Sequence, residues 1–220
     1  VKIMAIRNTP NGDEYDKDVA LGVYYAVNNG SKVINMSFGK QFSPHSDWVR
    51  DAIAYAAEND VLIVAAAGND GQNTDQVNYF PNDQINNGAE ISNTFLKVGS
   101  NGPKYGSTLV AGYSNYGKNT VDVFAPGSQI YSTYPKESYE FASGTSMAAP
   151  LVTGIAALVF SQYPNLSAAQ VKQILITSGV AINKKVSLES GAVVPFSDLS
   201  KSGKIVNAYN ALIMASKLSN

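Results

Sequence analysis

Ser143-Gly144-Thr145-Ser146-Met147-Ala148-Ala149-Pro150, followed by an apolar run from Leu151 to Phe160, is the stretch on which the reading of this chain turns. Three small residues, Ser143, Gly144 and Thr145, let the backbone bend sharply and release Ser146 at the start of a helix. Pro150 reads as a first-turn residue, where the N–H it lacks would have had no intrahelical partner. A serine hydroxyl at a helix N-terminus lies beside unpaired N–H donors and the positive end of the helix dipole. An oxyanion formed by attack of Ser146 on a carbonyl would be held there. From the physics alone, an ordinary serine N-cap on a buried helix fits as well.

Outward from this stretch, strand-like and helix-like segments alternate. Residues 2–7 read as a short β-like run, ended by the loop Asn8-Thr9-Pro10-Asn11-Gly12. Residues 13–29 place Val19, Val23, Ala26 and Val27 on one helical face. The acids Asp13, Glu14, Asp16 and Asp18 read as a solvated, dipole-matched helix start rather than a cation site. Residues 33–37 form a second, buried strand. Ser43-Pro44 supplies an N-cap and a first-turn proline for a helix to Asn59, with Trp48, Ala52, Tyr55 and Ala56 inward. Residues 61–65 are the third strand, and Gly68-Asn69-Asp70-Gly71 turns away from its carboxyl end. Strand, helix, strand at this spacing implies right-handed crossovers and a parallel sheet, whose ligands bind beyond the carboxyl ends of the strands. Ser37-Phe38-Gly39 and Ala66-Ala67-Gly68-Asn69 occupy those ends, so both point at one crevice.

Residues 72–93 are polar and Asn-rich, and 82–93 read as a surface loop. Residues 96–99 and 121–124 are further short strands. Ser167-Ala168-Ala169-Gln170 is a capping box that opens a helix to Ser178. Residues 184–204 are weakly patterned, with strand pieces around Val193, and 205–218 are amphipathic. No internal repeat and no second domain are visible, so residues 1–220 read as one domain, long enough for a real core. Sixteen basic and 17 acidic residues leave a net charge of −1, which makes no case for nucleic acid or an anionic membrane. There is no cysteine, which excludes disulfides and thiolate metal sites. The run from Met147 to Phe160 reads as too short to span a bilayer. Val1 to Ile6 reads as a strand rather than a leader, so the chain is expected to start inside a longer protein.

Gly144-Thr145-Ser146-Met147-Ala148-Ala149-Pro150 resembles the nucleophile motif of the subtilisin-like serine proteases, the subtilases. Three more blocks similar to that family stand in order before it: Val33-Ile34-Asn35-Met36-Ser37-Phe38-Gly39, Val64-Ala65-Ala66-Ala67-Gly68-Asn69, and Val121-Asp122-Val123-Phe124-Ala125-Pro126-Gly127. The similarity runs from Val1 to about Ser178. It implies a three-layer α/β fold, with a mostly parallel sheet and helices on both faces, incomplete at the N-terminus because the family's Asp and His motifs would precede Val1. It also implies a cis proline near Pro81 and a closing helix over 205–218.

The resemblance further implies a serine endopeptidase that hydrolyses peptide bonds in proteins through a Ser-His-Asp triad. Ser146 would be the nucleophile, and the Asn69 side chain with the Ser146 N–H would form the oxyanion hole. Ser37, Phe38 and Gly39, with Ala66, Ala67 and Gly68, would bind the extended substrate and flank its side-chain pocket. Small residues at Ala66 and Gly68 leave space for apolar or bulky side chains. Without the resemblance, Asn69 is a turn residue. The only histidine, His45, lies at a helix start and is rejected as the general base. The isolated chain is therefore expected to be inactive. The missing strand is expected to leave a gap between residues 2–7 and residues 33–37, closed by rearrangement, by another chain or by a separated N-terminal piece. No cofactor is expected, and calcium, which occurs in the family, is assigned no site. Expected partners are a polypeptide substrate and the missing N-terminal segment, with no nucleic acid or membrane, in an extracellular or cell-envelope location. The alternative is a pseudoprotease or peptide-binding module. An α/β-hydrolase would need glycine where Ala148 stands.

Overall fold

Leu62, Ile63, Val64, Ala65 and Ala66 are all buried, and this unbroken apolar run makes the central strand β2 (Leu62–Ala66) of a sheet covered on both faces. The computed structural model describes residues 1–9, 12–85 and 88–219. Pro10 and Asn11 of the first expected loop, and Asn86 and Asn87 of the 82–93 loop, lie outside the described residues. β2 pairs in parallel with β1 (Val33–Met36) on one side and β3 (Phe95–Asn101) on the other. β3 continues in parallel to β4 (Val123–Pro126). Beyond it lie β10 (Lys204–Ile205), parallel to β4, and β7 (Val180–Ala181), antiparallel to β10. The six-stranded order is β1-β2-β3-β4-β10-β7.

Period-two alternation divides the core. Ile63 and Ala65 face α1 (Asp16–Asn28) and α2 (Ser46–Glu58), where they meet Val19, Val23, Val49 and Ile53. Leu62, Val64 and Ala66 face α3 (Thr145–Gln162), α4 (Ala168–Thr177) and α5 (Ala208–Leu218), through Val152, Ala156, Val171 and Ala215. The expected three layers are present. The capping box is also present: Gln170 N–H donates to Ser167 Oγ, and Ser167 N–H to Gln170 Oε1. The expected strand pieces around Val193 are β8 (Lys185–Ser187) paired with β9 (Val193–Pro195). The Phe80–Pro81 peptide is cis.

Several local expectations are corrected. Asp16 is buried rather than solvated. It pairs with Lys40 at 2.8 Å and accepts hydrogen bonds from Ser43 Oγ and His45 N–H, tying the start of α1 to the loop before α2. Ser43 is thereby diverted from capping, and α2 begins at Ser46. The buried face of α2 is Val49, Ala52, Ile53 and Ala56. Trp48 is exposed, because its indole stacks on the His45 ring instead of entering the core. The antiparallel hairpin β5 (Ile130–Tyr134) and β6 (Ser138–Ala142), directly before the Ser143 turn, was not foreseen. Its aromatics Tyr131, Tyr139 and Phe141 stack with one another on an exposed face, which hides a strand pattern that normally signals burial.

Residues 2–7 form no strand. Ile3 is 93% exposed, and among the described residues β1 has β2 as its single strand partner. A β-like sequence becomes a strand only when a neighbour accepts its backbone ladder, and none does so here. The expected gap is an open cleft of about 1010 Å³ beside β1, walled by residues 1–4, Ile6 and Asn8, by Gly22 and Ala26 of α1, and by Thr153, Ala157 and Phe160 of α3. Helix α3 has 18 residues at a mean hydropathy of 1.3, long and apolar enough to cross a membrane by that measure, contrary to the shorter run expected. Here it lies across β1 to β4, with Ala148, Ala149, Val152, Ala156 and Val159 buried.

Candidate functional site

The carboxyl ends of β1 and β2 meet the N-terminus of α3, and this junction holds the residues singled out from the sequence. Gly144 is the N-cap of α3 and Ser146 its second residue, half-buried at the rim. Pro150 therefore sits in the second turn, not the first. Its missing N–H would have bonded to the carbonyl of Ser146, four residues back. That carbonyl accepts the Ser37 hydroxyl at 2.8 Å instead, so the proline frees an acceptor that ties the end of β1 to the helix start. Asn35 Nδ2 donates to Ser37 Oγ at 2.8 Å and supports the same link.

Asn69 lies just past β2 and its orientation is fixed. Its Oδ1 accepts the Thr145 N–H at 2.8 Å and the Thr145 hydroxyl at 3.0 Å. Thr145, fully buried, in turn accepts the Gly68 N–H at 3.1 Å. With both donors on the carbonyl end, the Nδ2 end of the exposed Asn69 amide is directed away from Thr145 as a donor. Asn69 and Ser146 are thus brought to one rim, a residue apart through Thr145. Ser37, Phe38 and Gly39 stand on one side of this rim and Ala66, Ala67 and Gly68 on the other. Phe38 is half-buried against the α1–α2 face of the core.

The space expected between those two segments is occupied. The Tyr79 ring lies against both glycines: a Cβ built on Gly39 would fall 2.5 Å from Tyr79 Cε1, and one built on Gly68 would fall 2.6 Å from it. Gly68 also holds φ +104°, so glycine is required there by conformation as well as by room. Burial, followed by the charges of Asp70 and Glu14, pushes the Tyr79 phenol up to about 12, so it stays neutral.

Behind Tyr79 lies a buried ion network that sequence reading missed, because its members are scattered from 90 to 201. Lys97, within β3, donates from Nζ to the Tyr79 carbonyl at 3.0 Å. The Asp122 carboxylate accepts the Lys97 N–H at 2.7 Å and pairs with Lys201 at 3.3 Å. Glu90 bridges Lys172 and Lys201. Burial lowers the Lys97 ammonium to about 8 and raises the Asp122 carboxyl to about 6. These groups are spent on one another.

His45 is exposed, stacked on Trp48 at 4.1 Å, with its N–H given to Asp16. Among the described residues no group of three or more His, Asp or Glu side chains is placed to hold a metal ion. Asp16, one of the acids at the front of α1, is paired with Lys40.

The model of the subtilase family matches residues 1–201. The chain belongs to the subtilase family. Subtilisin DY of Bacillus licheniformis is 32% identical over 204 residues, covering 88% of this chain and 66% of that protein. Thermitase of Thermoactinomyces vulgaris is 38% identical over 161 residues, covering 73% of this chain and 52% of that protein. A solved lanthipeptide protease superposes with a TM-score of 0.73 at 28% identity, covering 95% of this chain and 68% of that one. This subtilase chain spans 66% or less of the curated relatives it matches, and 17% of the cell wall-associated protease of Bacillus subtilis. Two residues of the rim were not singled out from sequence. Thr145 was legible in hindsight, as the polar residue between Gly144 and Ser146; Tyr79 carried no signal beyond its place before Phe80-Pro81.

Proposed function

We propose that this subtilase chain is the nucleophile-bearing part of a serine endopeptidase that cleaves polypeptides by acyl transfer. Ser146 Oγ would attack the peptide carbonyl carbon, and the carbonyl oxygen would become the oxyanion. Asn69 Nδ2 and the Ser146 N–H would hold it. The peptide C–N bond then breaks with a proton delivered to the leaving amine, and water releases the acyl group. The observation that carries this reading is the clamp on Asn69. With Oδ1 fixed by two Thr145 donors, the Nδ2 donor is preset before substrate arrives, and preorganised donors stabilise developing charge without reorganising. Ser37 to Gly39 and Ala66 to Gly68 would flank the bound peptide.

An alcohol needs a neighbouring base. The one histidine of this chain is held at α2, so the base and its orienting carboxylate would come from a segment outside the sequence given. That segment would fill the cleft beside β1 and pair with its free edge, completing a partial catalytic domain that includes residues 1–220. The chain by itself would be inactive or nearly so, since loss of triad members leaves residual catalysis of roughly 10³–10⁴ over water at best. The chemistry so written uses no cofactor. The names of relatives such as the cell wall-associated protease favour a location outside the cytoplasm.

A fluorophosphonate probe tests this. The chain alone is expected to label weakly, and to label at Ser146 when the preceding segment of its parent is supplied. Strong labelling of Ser146 in the chain alone overturns the inactivity. No labelling in the completed protein overturns the protease reading in favour of a peptide-binding module.

A further inference from the structure

The rim leaves one question of substrate class open, and the position of one ring answers it. A peptide whose carbonyl oxygen faces Asn69 Nδ2, and whose carbon faces Ser146, must lay the residue bearing that carbonyl over the segments next to these two groups. Those are Gly68, joined directly to Asn69, and Ser37 to Gly39, hydrogen-bonded to Ser146. The side chain of that residue would descend between the two backbones. That volume is where the Tyr79 ring lies, with Cε1 within 2.6 Å of the Cβ position of both glycines.

The ring is not a loose side chain that can step aside. Tyr79 is 9% exposed. Its carbonyl accepts Lys97 Nζ at 3.0 Å and Asn82 Nδ2 at 3.4 Å. The next residue, Phe80, exchanges two backbone hydrogen bonds of 2.9 Å with Lys40, the residue after Gly39. The backbone that carries the ring is therefore stitched to the segment it packs against. Both glycines are necessary to this arrangement, since any side chain at either one would collide with the ring.

Resting on the peptide-site reading of the crevice, we infer that Tyr79 is a specificity-determining residue: it fills the side-chain pocket and restricts the residue that donates the scissile carbonyl to a small one, of the size of glycine, alanine or serine. A pocket lined only by Gly39, Gly68 and Ala66 would welcome an aromatic side chain; with the phenol in place, that side chain has nowhere to go.

The test is binding of two labelled peptides, identical except for alanine or phenylalanine at the C-terminal residue, to the full chain by fluorescence anisotropy. The wild-type chain is expected to prefer the alanine peptide by roughly tenfold or more, the scale of discrimination a filled apolar pocket gives. Tyr79→Gly is expected to bind the phenylalanine peptide roughly tenfold better than wild type does, and added p-cresol, by refilling the space, to reverse that gain. Tyr79→Phe should behave as wild type. Equal binding of the two peptides by the wild-type chain overturns the inference whether or not any variant folds, and leaves the crevice as a peptide site. So does a folded Tyr79→Gly whose phenylalanine affinity is unchanged. Failure of the wild-type chain to bind either peptide overturns the peptide-site reading, and the preference with it.

Discussion

The rim where β1 and β2 meet α3 and the open flank of β1 are built from the same strand, yet they are finished to opposite degrees. At the rim three bonds join distant parts of the chain: Ser37 with Ser146, Asn69 with Thr145, Thr145 with Gly68. At the flank, residues 1–9 lie outside the sheet and the large side chain of Ile3 is almost wholly in solvent. The difference teaches that the geometry about Ser146 is set by the sheet's carboxyl end and α3, and does not wait for the flank to be closed. Ser146 and the Asn69 amide are held in place although β2 is the single strand partner of β1 among the described residues.

The largest expected contrast is in stability. Leu96→Ala, in the fully buried β3, should cost about 2–5 kcal/mol in denaturant unfolding, whereas Ile3→Ala should change it by less than about 0.5 kcal/mol. Comparable losses from the two would show that the flank is closed in solution and break the contrast. Next comes the rim itself. In the completed protease, Asn69→Ala should lower kcat by roughly a hundred- to a thousandfold, the size known for loss of an oxyanion-hole amide, with KM little changed. A variant with unchanged kcat would reduce Asn69 to a turn residue.

The buried network behind Tyr79 gives a smaller, pH-dependent signal. Lys97 titrates near 8 when folded and near 10.5 when unfolded, so between those values the unfolded chain binds the extra proton and stability rises with pH. Asp122, raised from 3.8 to about 6, works the other way: across that acid range the folded chain binds the extra proton, and stability falls as pH rises. Lys97→Met should flatten the alkaline limb in chemical denaturation measured from pH 8 to 10.5 and spare the acid one. A limb that survives the substitution would show that the rim does not rest on this ammonium. The smallest effect is expected from Thr145→Val, which removes one of the two donors on Asn69 Oδ1. It should lower kcat by roughly tenfold or less, at the level of a single hydrogen bond, and Thr145→Ser should restore most of it.

Much of this was legible along the chain. The unbroken run at Leu62 to Ala66, the alternation of strands and helices, and the capping box at Ser167 announced a covered parallel sheet, because burial and capping leave local marks. Ser146 and Asn69 were named through the resemblance of their blocks to the subtilase motifs; local pattern alone reads them as a helix-start serine and a turn residue. The failures have a common cause. Asp16 looked solvated, residues 2–7 looked like a strand and Trp48 looked inward, since local pattern cannot say which partner arrives. Lys97 looked like an ordinary strand residue, although its partners Tyr79 and Asp122 lie 18 and 25 residues away in sequence.

The sequence by itself determined the sheet and the helices on its two faces, because periodicity and short-range capping are properties of neighbours, and its resemblance to the subtilase motifs pointed to Ser146 and Asn69 at the carboxyl rim. Only the tertiary structure decided that the Asn69 amide is locked by Thr145, that Pro150 releases the Ser146 carbonyl to Ser37, and that the Tyr79 ring occupies the space between Gly39 and Gly68. Each of those depends on segments brought together across roughly ten to more than a hundred residues of chain, where hydrogen-bond direction and excluded volume are set by packing and leave no trace in local composition.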